Sequence, residues 1–275
     1  MSRLNTHRQL AEGKTKIIWQ DPHHPHQVLI ESKDDITAGD GIRRNLLPDK
    51  GAYANRTTCN CFDLLQRHGF STHYVGPVDD RTFLARSVKM IPVELVVRRI
   101  ATGSYLKRNP TIEEGTPFSS LVFERFAKDD ALHDPLLTYD HQTGTLTFND
   151  PTKPVGQGVI KQEQVVRPAS YRQAIATQQL ITQEVFLLLE RAWAVQNVTL
   201  VDLKIECGLD RETGTLVVAD VIDNDSWRIW PSGRKDKMLD KQVYRDLVEV
   251  TDEKMRDVLA NYAAVANATD KFALV

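Results

Sequence analysis

Residues 199–207 read Thr-Leu-Val-Asp-Leu-Lys-Ile-Glu-Cys, a strict alternation of apolar and charged side chains. A period of two is that of a β-strand, so Val201, Leu203 and Ile205 share one face while Asp202, Lys204 and Glu206 share the other. Such a strand either turns its charges to water at a sheet edge or lines a site with them. A turn around residues 210–214 and a strand over 216–221 that is apolar until Asp220 make this the first arm of a hairpin, and pairing can bring Asp220 close to the charged face. The register is not readable from sequence. Asp220 runs straight into Asp223, Asn224, Asp225, Ser226 and Arg228 set between Trp227 and Trp230, a density of polar groups that a water-facing hairpin does not need. Magnesium is usually held by one or two carboxylates plus substrate phosphates, so Glu206 and Asp220 suit a metal–nucleotide site, with Lys204 balancing charge and reaching an anion.

The rest of the chain sets the frame for that hairpin. Residues 16–20, 27–32 and 71–78 read as strands around a turn-rich Asp21-Pro22-His23-His24-Pro25. Ala54, Thr58, Cys61, Phe62 and Leu65 fall at helical spacing, and Gly69 sits where a helix would stop. A strand over 93–100 is followed by Gly103, Asn109-Pro110 and Gly115, which sets a domain boundary near residue 90, with lobes at 1–90 and 91–275. Residues 138–168 hold three glycines and three prolines with little periodicity, which predicts a long surface excursion. Ile181, Val185, Leu188, Leu189 and Ala192 mark one core-facing helix. Met255, Val258, Leu259, Tyr262 and Val265 mark another after the N-cap candidate Thr251. Early strands, late helices and no regular strand–helix alternation predict an α+β fold rather than a doubly wound parallel sheet.

Composition narrows the partners. Lys+Arg 35 against Asp+Glu 37 in 275 residues leaves no cationic excess for a polyphosphate backbone, so nucleic acid is not the expected partner. The longest apolar runs, 185–189 and 262–266, are far shorter than a membrane span needs, and the N-terminal stretch lacks a signal-peptide apolar block. Cys59, Cys61 and Cys207 have neither a disulfide framework nor a zinc spacing, which predicts reduced packing thiols in a cytoplasmic chain.

Several segments carry phosphate chemistry. Gly13-Lys14-Thr15-Lys16 fails the Walker A pattern because Arg8 stands five residues before Gly13. A glycine turn with two lysines leading into a strand can still lay backbone N–H groups and Lys16 over phosphates, although an exposed basic strand end has the same sequence. Arg98-Arg99-Ile100-Ala101-Thr102-Gly103-Ser104 brings two arginines and a small turn to one strand end, where guanidinium forks and hydroxyl donors suit a phosphate; surface ion pairs are the alternative. Residues 128–135 read as an acidic turn or a metal cluster, and His23, His24 and His26 as loop residues.

In order along the chain, the blocks at 12–16, 35–41, 93–110, 128–135, 200–208, 220–233 and 240–247 resemble SAICAR synthetase, the phosphoribosylaminoimidazole-succinocarboxamide synthetase of purine biosynthesis. The form of 98–104 and 223–231 is most similar to the synthetase part of the bifunctional animal enzyme, without room for that enzyme's carboxylase domain. The resemblance implies two lobes with mostly antiparallel sheets and flanking helices, and a nucleotide site in the cleft between them. It implies an ATP-dependent ligase, using magnesium (Mg2+), that joins carboxyaminoimidazole ribonucleotide (CAIR) to L-aspartate through a carboxyl phosphate. Position by position, it implies that Lys14 and Lys16 serve the nucleotide phosphates and that Glu206 and Asp220 bridge the metal. It further implies that Arg98, Ser104, Arg228 and Arg245 contact the ribonucleotide, with Arg228 also in catalysis, and that Lys204 faces the carboxylate being activated. It also implies that Asp40 lies in a glycine loop that closes on substrates. The partners implied are small molecules, with no nucleic acid, no membrane, and a homo-oligomer left open. A nucleotide-binding regulator without turnover and a small-molecule kinase are the rival readings.

Overall fold

The computed structural model describes residues 7–39 and 41–275, so Asp40 lies outside the described residues. Strands β1 (Gln9–Glu12), β2 (Lys16–Gln20) and β3 (Gln27–Ser32) lead to a small hairpin, β4 (Asp35–Ala38) and β5 (Arg43–Leu46), and then to helix α1 (Lys50–Arg67). Next come β6 (Tyr74–Pro77), β7 (Thr82–Arg86), the long β8 (Val88–Ile100), one turn of helix α2 (Ser104–Arg108) and β9 (Pro117–Ala127). The chain continues through β10 (Leu136–Asp140), β11 (Thr145–Asn149), β12 (Val159–Gln164) and helix α3 (Pro168–Ala194). It closes with β13 (Val198–Asp210), β14 (Leu216–Ala219), β15 (Trp227–Pro231), α4 (Gln242–Arg245) and α5 (Asp252–Thr269).

Two main antiparallel sheets result, as an α+β reading requires. One has the order β1-β2-β3-β7-β6; the other runs β12-β11-β10-β9-β8-β13-β14, with β15 also on β13. The first takes its strands from residues 9–86 and the second from 88–231. A single core nevertheless includes Val28, Ile30 and Phe83 of the first sheet, Phe62 and Leu65 of α1, and Leu95, Leu203 and Val218 of the second. Among the described residues no helix is long and apolar enough to cross a membrane.

Local chemistry explains the helices. After α1, Gly69 takes φ +82°, its N–H donates to Gln66 O at 3.0 Å, and Phe70 N–H donates to Leu65 O at 3.0 Å. This double closure satisfies carbonyls the helix leaves open, and it needs a residue without a Cβ. Thr251 caps α5 by accepting from Lys254 N–H. All three cysteines are free and buried, as packing thiols are, and burial pushes the Cys59 and Cys207 thiols up to about 11 and about 12.

Two expectations need correction. The predicted excursion over 138–168 does lie largely at the surface, but it is not without regular structure: β10, β11 and the exposed β12 form an antiparallel meander that widens the second sheet. The alternation of Leu146 and Phe148, both buried, was short enough to be hidden by the glycines and prolines around it. The strand predicted over 71–78 enters the first sheet only from Tyr74, because Thr72 pairs instead in parallel with Val218 of β14.

Candidate active site

β13 is interior, flanked by β8 on one side and by β14 and β15 on the other, so both of its edges are paired. Val201, Leu203 and Ile205 face the core, where α3 lies against the sheet; Asp202 and Glu206 are also buried, at 4% and 2% exposure. Burial of these carboxylates requires compensating cations. Four residues of strand rise span ~13 Å, so Asp202 and Glu206 lie at the ends of a ruler with Lys204 at its middle.

At one end, Lys128 Nζ lies 2.8 Å from each Glu206 oxygen, and Lys204 Nζ lies 3.1 Å from Oε1 and 3.3 Å from Glu94 Oε1. The pairing of Glu206 with Ala219 sets Asp220 beside this group, and Lys16 Nζ, arriving from β2, forms an ion pair with Asp220 Oδ1. Burial opposes ionisation of Asp220, but Lys16, Lys204 and Lys128 hold its carboxyl well below the usual range. Burial likewise disfavours the charged forms of Lys204 and Lys128, and the surrounding carboxylates, Glu94 and Glu206 foremost for Lys204 and Glu206 for Lys128, more than reverse this. Lys16, Lys204, Glu206 and Asp220 therefore meet, as their candidate roles require. Lys14 does not join them; its ammonium pairs at 3.2 Å with exposed Asp130.

Asp220 has φ +65°, a left-handed backbone that costs a non-glycine residue roughly 1–2 kcal/mol. Strain of this kind concentrates where a side chain must be aimed. Its carbonyl lies 3.0 Å from Nε2 of His73, a buried ring whose pKa burial lowers to about 4. The imidazole is thus neutral at pH 7, and because a carbonyl only accepts, Nε2 carries the proton.

At the other end lies a chain of alternating charges. Arg228 Nη1 donates to Asp202 Oδ2 at 2.6 Å, and Arg98 Nη1 reaches the same oxygen at 2.8 Å. Arg98 Nε meets Glu124 Oε2 at 2.6 Å, and Arg108 Nη2 meets Glu124 Oε1 at 2.5 Å. Three guanidiniums against two carboxylates leave one positive charge over. Arg98 extends its remaining nitrogen to Ser104 Oγ at 3.5 Å. Arg228 Nη2 and Arg245 Nη1 both address Gln242 Oε1, at 3.3 and 3.4 Å. Gly103, at φ +60°, lies so near the Arg228 fork that an added Cβ would fall 2.6 Å from Nη2. A cavity of about 80 Å³ opens here, bounded by Thr102, Gly103, Arg228, Trp230 and Gln242. Arg99, the second arginine of the sequence pair, points to the opposite face and binds Glu190 of α3 through Nε and Nη2, a packing role.

Sequence reasoning missed Glu124 and His73, noted Lys128 only as the start of the 128–135 block, and gave Asp202 no task. A signal was present for Asp202, in the alternation of β13, and for Lys128, in the 128–135 block. Among the described residues no group of three or more His, Cys, Asp or Glu forms a metal cage. Two neighbouring carboxylates ringed by lysines are instead an all-oxygen donor set of the kind magnesium shares with phosphates, so the residues fit that ion.

Behind Arg228, Asp240 is buried and accepts from Ile229 N–H at 3.0 Å and Gln242 N–H at 2.9 Å. Burial outweighs these donors and lifts its carboxyl from 3.8 to about 6. The folded state therefore holds a proton that the unfolded state releases, and this contribution to stability is present at low pH and lost as pH rises through 6. Asp240→Asn removes the effect. Urea melts should show the variant gaining about 2 kcal/mol relative to the parent between pH 4.5 and pH 7.5; a difference that stays flat would contradict the raised carboxyl.

Comparisons with known proteins bear on the family and the fold. The SAICAR synthetase family model matches residues 9–262. The phosphoribosylaminoimidazole-succinocarboxamide synthase of Roseiflexus sp. (strain RS-1) is 47% identical over 97% of this chain and 98% of its own length. The probable multifunctional protein ADE2 of Caenorhabditis elegans is 43% identical over 98% of this chain and 60% of its own length. Among solved structures, the synthase from Ehrlichia chaffeensis superposes with a TM-score of 0.77 at 26% identity, covering 96% of this chain and 98% of that one. A SAICAR synthetase (Type-2) in complex with ADP gives 0.70 at 28% identity, covering 92% and 97%. With nearly half of its residues shared with a synthase along almost the whole of both chains, and the same fold around its charged strand, this chain belongs to the SAICAR synthetase family.

Proposed function

We propose that this chain uses ATP to join the carboxylate of CAIR to the amine of L-aspartate, giving SAICAR, ADP and phosphate. The observation that carries the reading is β13, which presents Glu206, Lys204 and Asp202 in sequence on one face, between a lysine-ringed carboxylate pair and an arginine chain. Its homologues are named for this synthase activity, and one solved relative holds ADP, which supports the nucleotide.

An amine does not expel oxide from a carboxylate, so activation must come first. A carboxylate oxygen of CAIR attacks the γ-phosphorus of ATP and ADP leaves. The aspartate nitrogen then adds to the carbonyl carbon of the acyl phosphate, phosphate departs with the C–O bonding pair, and the nitrogen gives up a proton. Positioning and charge stabilisation are the protein's tasks in such a sequence. Lys16 and Lys128 exchange their carboxylate partners for nucleotide phosphate oxygens. Lys204, midway along the ruler, offsets charge on the CAIR carboxylate. Arg228, Arg98 and Ser104 take the 5′-phosphate, with Arg245 beside them. Glu206 and Asp220 would hold magnesium, which when bound neutralises phosphate charge. The sheet of residues 9–86 serves as the lobe over the nucleotide phosphates, and the remainder as the lobe carrying the metal and ribonucleotide sites.

The test is ADP release from purified protein given ATP, magnesium and CAIR, with and without aspartate. SAICAR formation matched by aspartate-dependent ADP release is expected. A stable phosphorylated CAIR accumulating in the presence of aspartate would mark a kinase instead, and nucleotide binding without product would mark a regulator.

A further inference from the structure

The two sheets meet at Asp220 through residues from three segments. Lys16 arrives from β2 with its ammonium on the carboxylate. The segment before β6 docks alongside β14, with His73 N–H donating to Val218 O at 2.9 Å and Val218 N–H donating to Ser71 O at 3.0 Å. From that seam the His73 ring reaches past the end of the β13–β14 ladder to the Asp220 carbonyl, 3.0 Å from Nε2. The ring has little freedom. It packs edge-on against Phe62 and Phe83, with centroids 5.3 and 5.7 Å away, and its own carbonyl accepts from Arg86 N–H at 2.7 Å.

A left-handed aspartate between a strand and a loop is not held by local propensity, and without an anchor it relaxes towards extended backbone. Relaxation would swing the Asp220 carboxylate away from Glu206 while leaving the sheet intact. We propose that His73 is a positioning residue of the nucleotide–metal site, its Nε2–H clamping the Asp220 carbonyl so that the carboxylates of Asp220 and Glu206 stay side by side under Lys16. His73 touches no substrate in this scheme; it acts through Asp220, and the inference rests on the role proposed for Asp220 above. Because the clamp comes from the segment leading into the first sheet and its target directly follows β14, it also fixes where the lysine strand sits over the carboxylates.

The experiment compares the parent protein with His73→Phe, which keeps a ring but removes the donor, His73→Gln, whose Nε2 can occupy the same place, and Asp220→Asn. ADP binding is measured by calorimetry with and without magnesium, and thermal midpoints are recorded in parallel. His73→Phe should lose about tenfold or more of the magnesium-supported affinity, as supports behind metal ligands typically do, while metal-free affinity stays within about twofold. His73→Gln should recover to within about threefold of the parent. If His73→Phe does not fold, His73→Asn, whose amide stops short of the carbonyl, should show the same loss. A folded donor-less variant that binds magnesium and ADP like the parent, while Asp220→Asn is impaired, overturns the clamp alone. An Asp220→Asn protein that binds like the parent overturns the metal-site reading on which the clamp rests.

Discussion

Asp220→Asn is expected to lower turnover by about 10²–10³-fold, the scale on which removal of a single preorganised electrostatic group acts, while shifting the unfolding midpoint little. The substitution preserves volume and left-handed tolerance, since asparagine accepts φ > 0 at least as readily as aspartate. What it removes is the charge that Lys16 meets directly and that Lys204 and Lys128 feel. Two carboxylates would become one where phosphate, metal and three ammoniums have to balance. The fall should persist at saturating magnesium if phosphoryl transfer itself is impaired, and unchanged turnover there would remove Asp220 from the chemistry.

Arg228→Lys separates charge from geometry at the other end of β13. The guanidinium divides its nitrogens between Asp202 and Gln242, leaving a planar fork beside Gly103, whereas a lysine supplies a single point of charge. Loss of a charge-assisted pair is worth about 1.5–3 kcal/mol, so KM for the ribonucleotide should rise roughly 10- to 100-fold with a smaller change in kcat. Gly103→Ala should reproduce the direction of this effect without touching a charge, because the new methyl would displace the fork. Steady-state kinetics with CAIR as the varied substrate check both. Unaltered KM in the lysine variant would place the ribonucleotide elsewhere.

Where bonding is local, the residues themselves disclosed the structure. Strands β2 and β3 match their apolar runs residue for residue, Gly69 closes α1, and Thr251 caps α5. The alternation in β13 was legible too, but its meaning depended on neighbours: Glu206 is compensated by Lys128, 78 residues away, and Asp220 by Lys16, 204 residues away. No periodicity encodes such pairings. Arg98 and Arg99 illustrate the limit, since adjacency in sequence suggested a joint phosphate site while the strand pleat sends them to opposite faces. Glu124 and His73 gave no signal, because each matters only through a group it holds: Arg98 and Arg108 for the glutamate, the Asp220 backbone for the histidine.

The most direct measurement is a crystal structure of this protein with ADP and magnesium. The phosphates are expected between Lys16 and the β13–β14 hairpin, with the ion on the carboxylates of Glu206 and Asp220 and the lysines turned from carboxylate to phosphate. A nucleotide seated elsewhere, with the Lys16–Asp220 and Lys128–Glu206 pairs undisturbed, would contradict this reading.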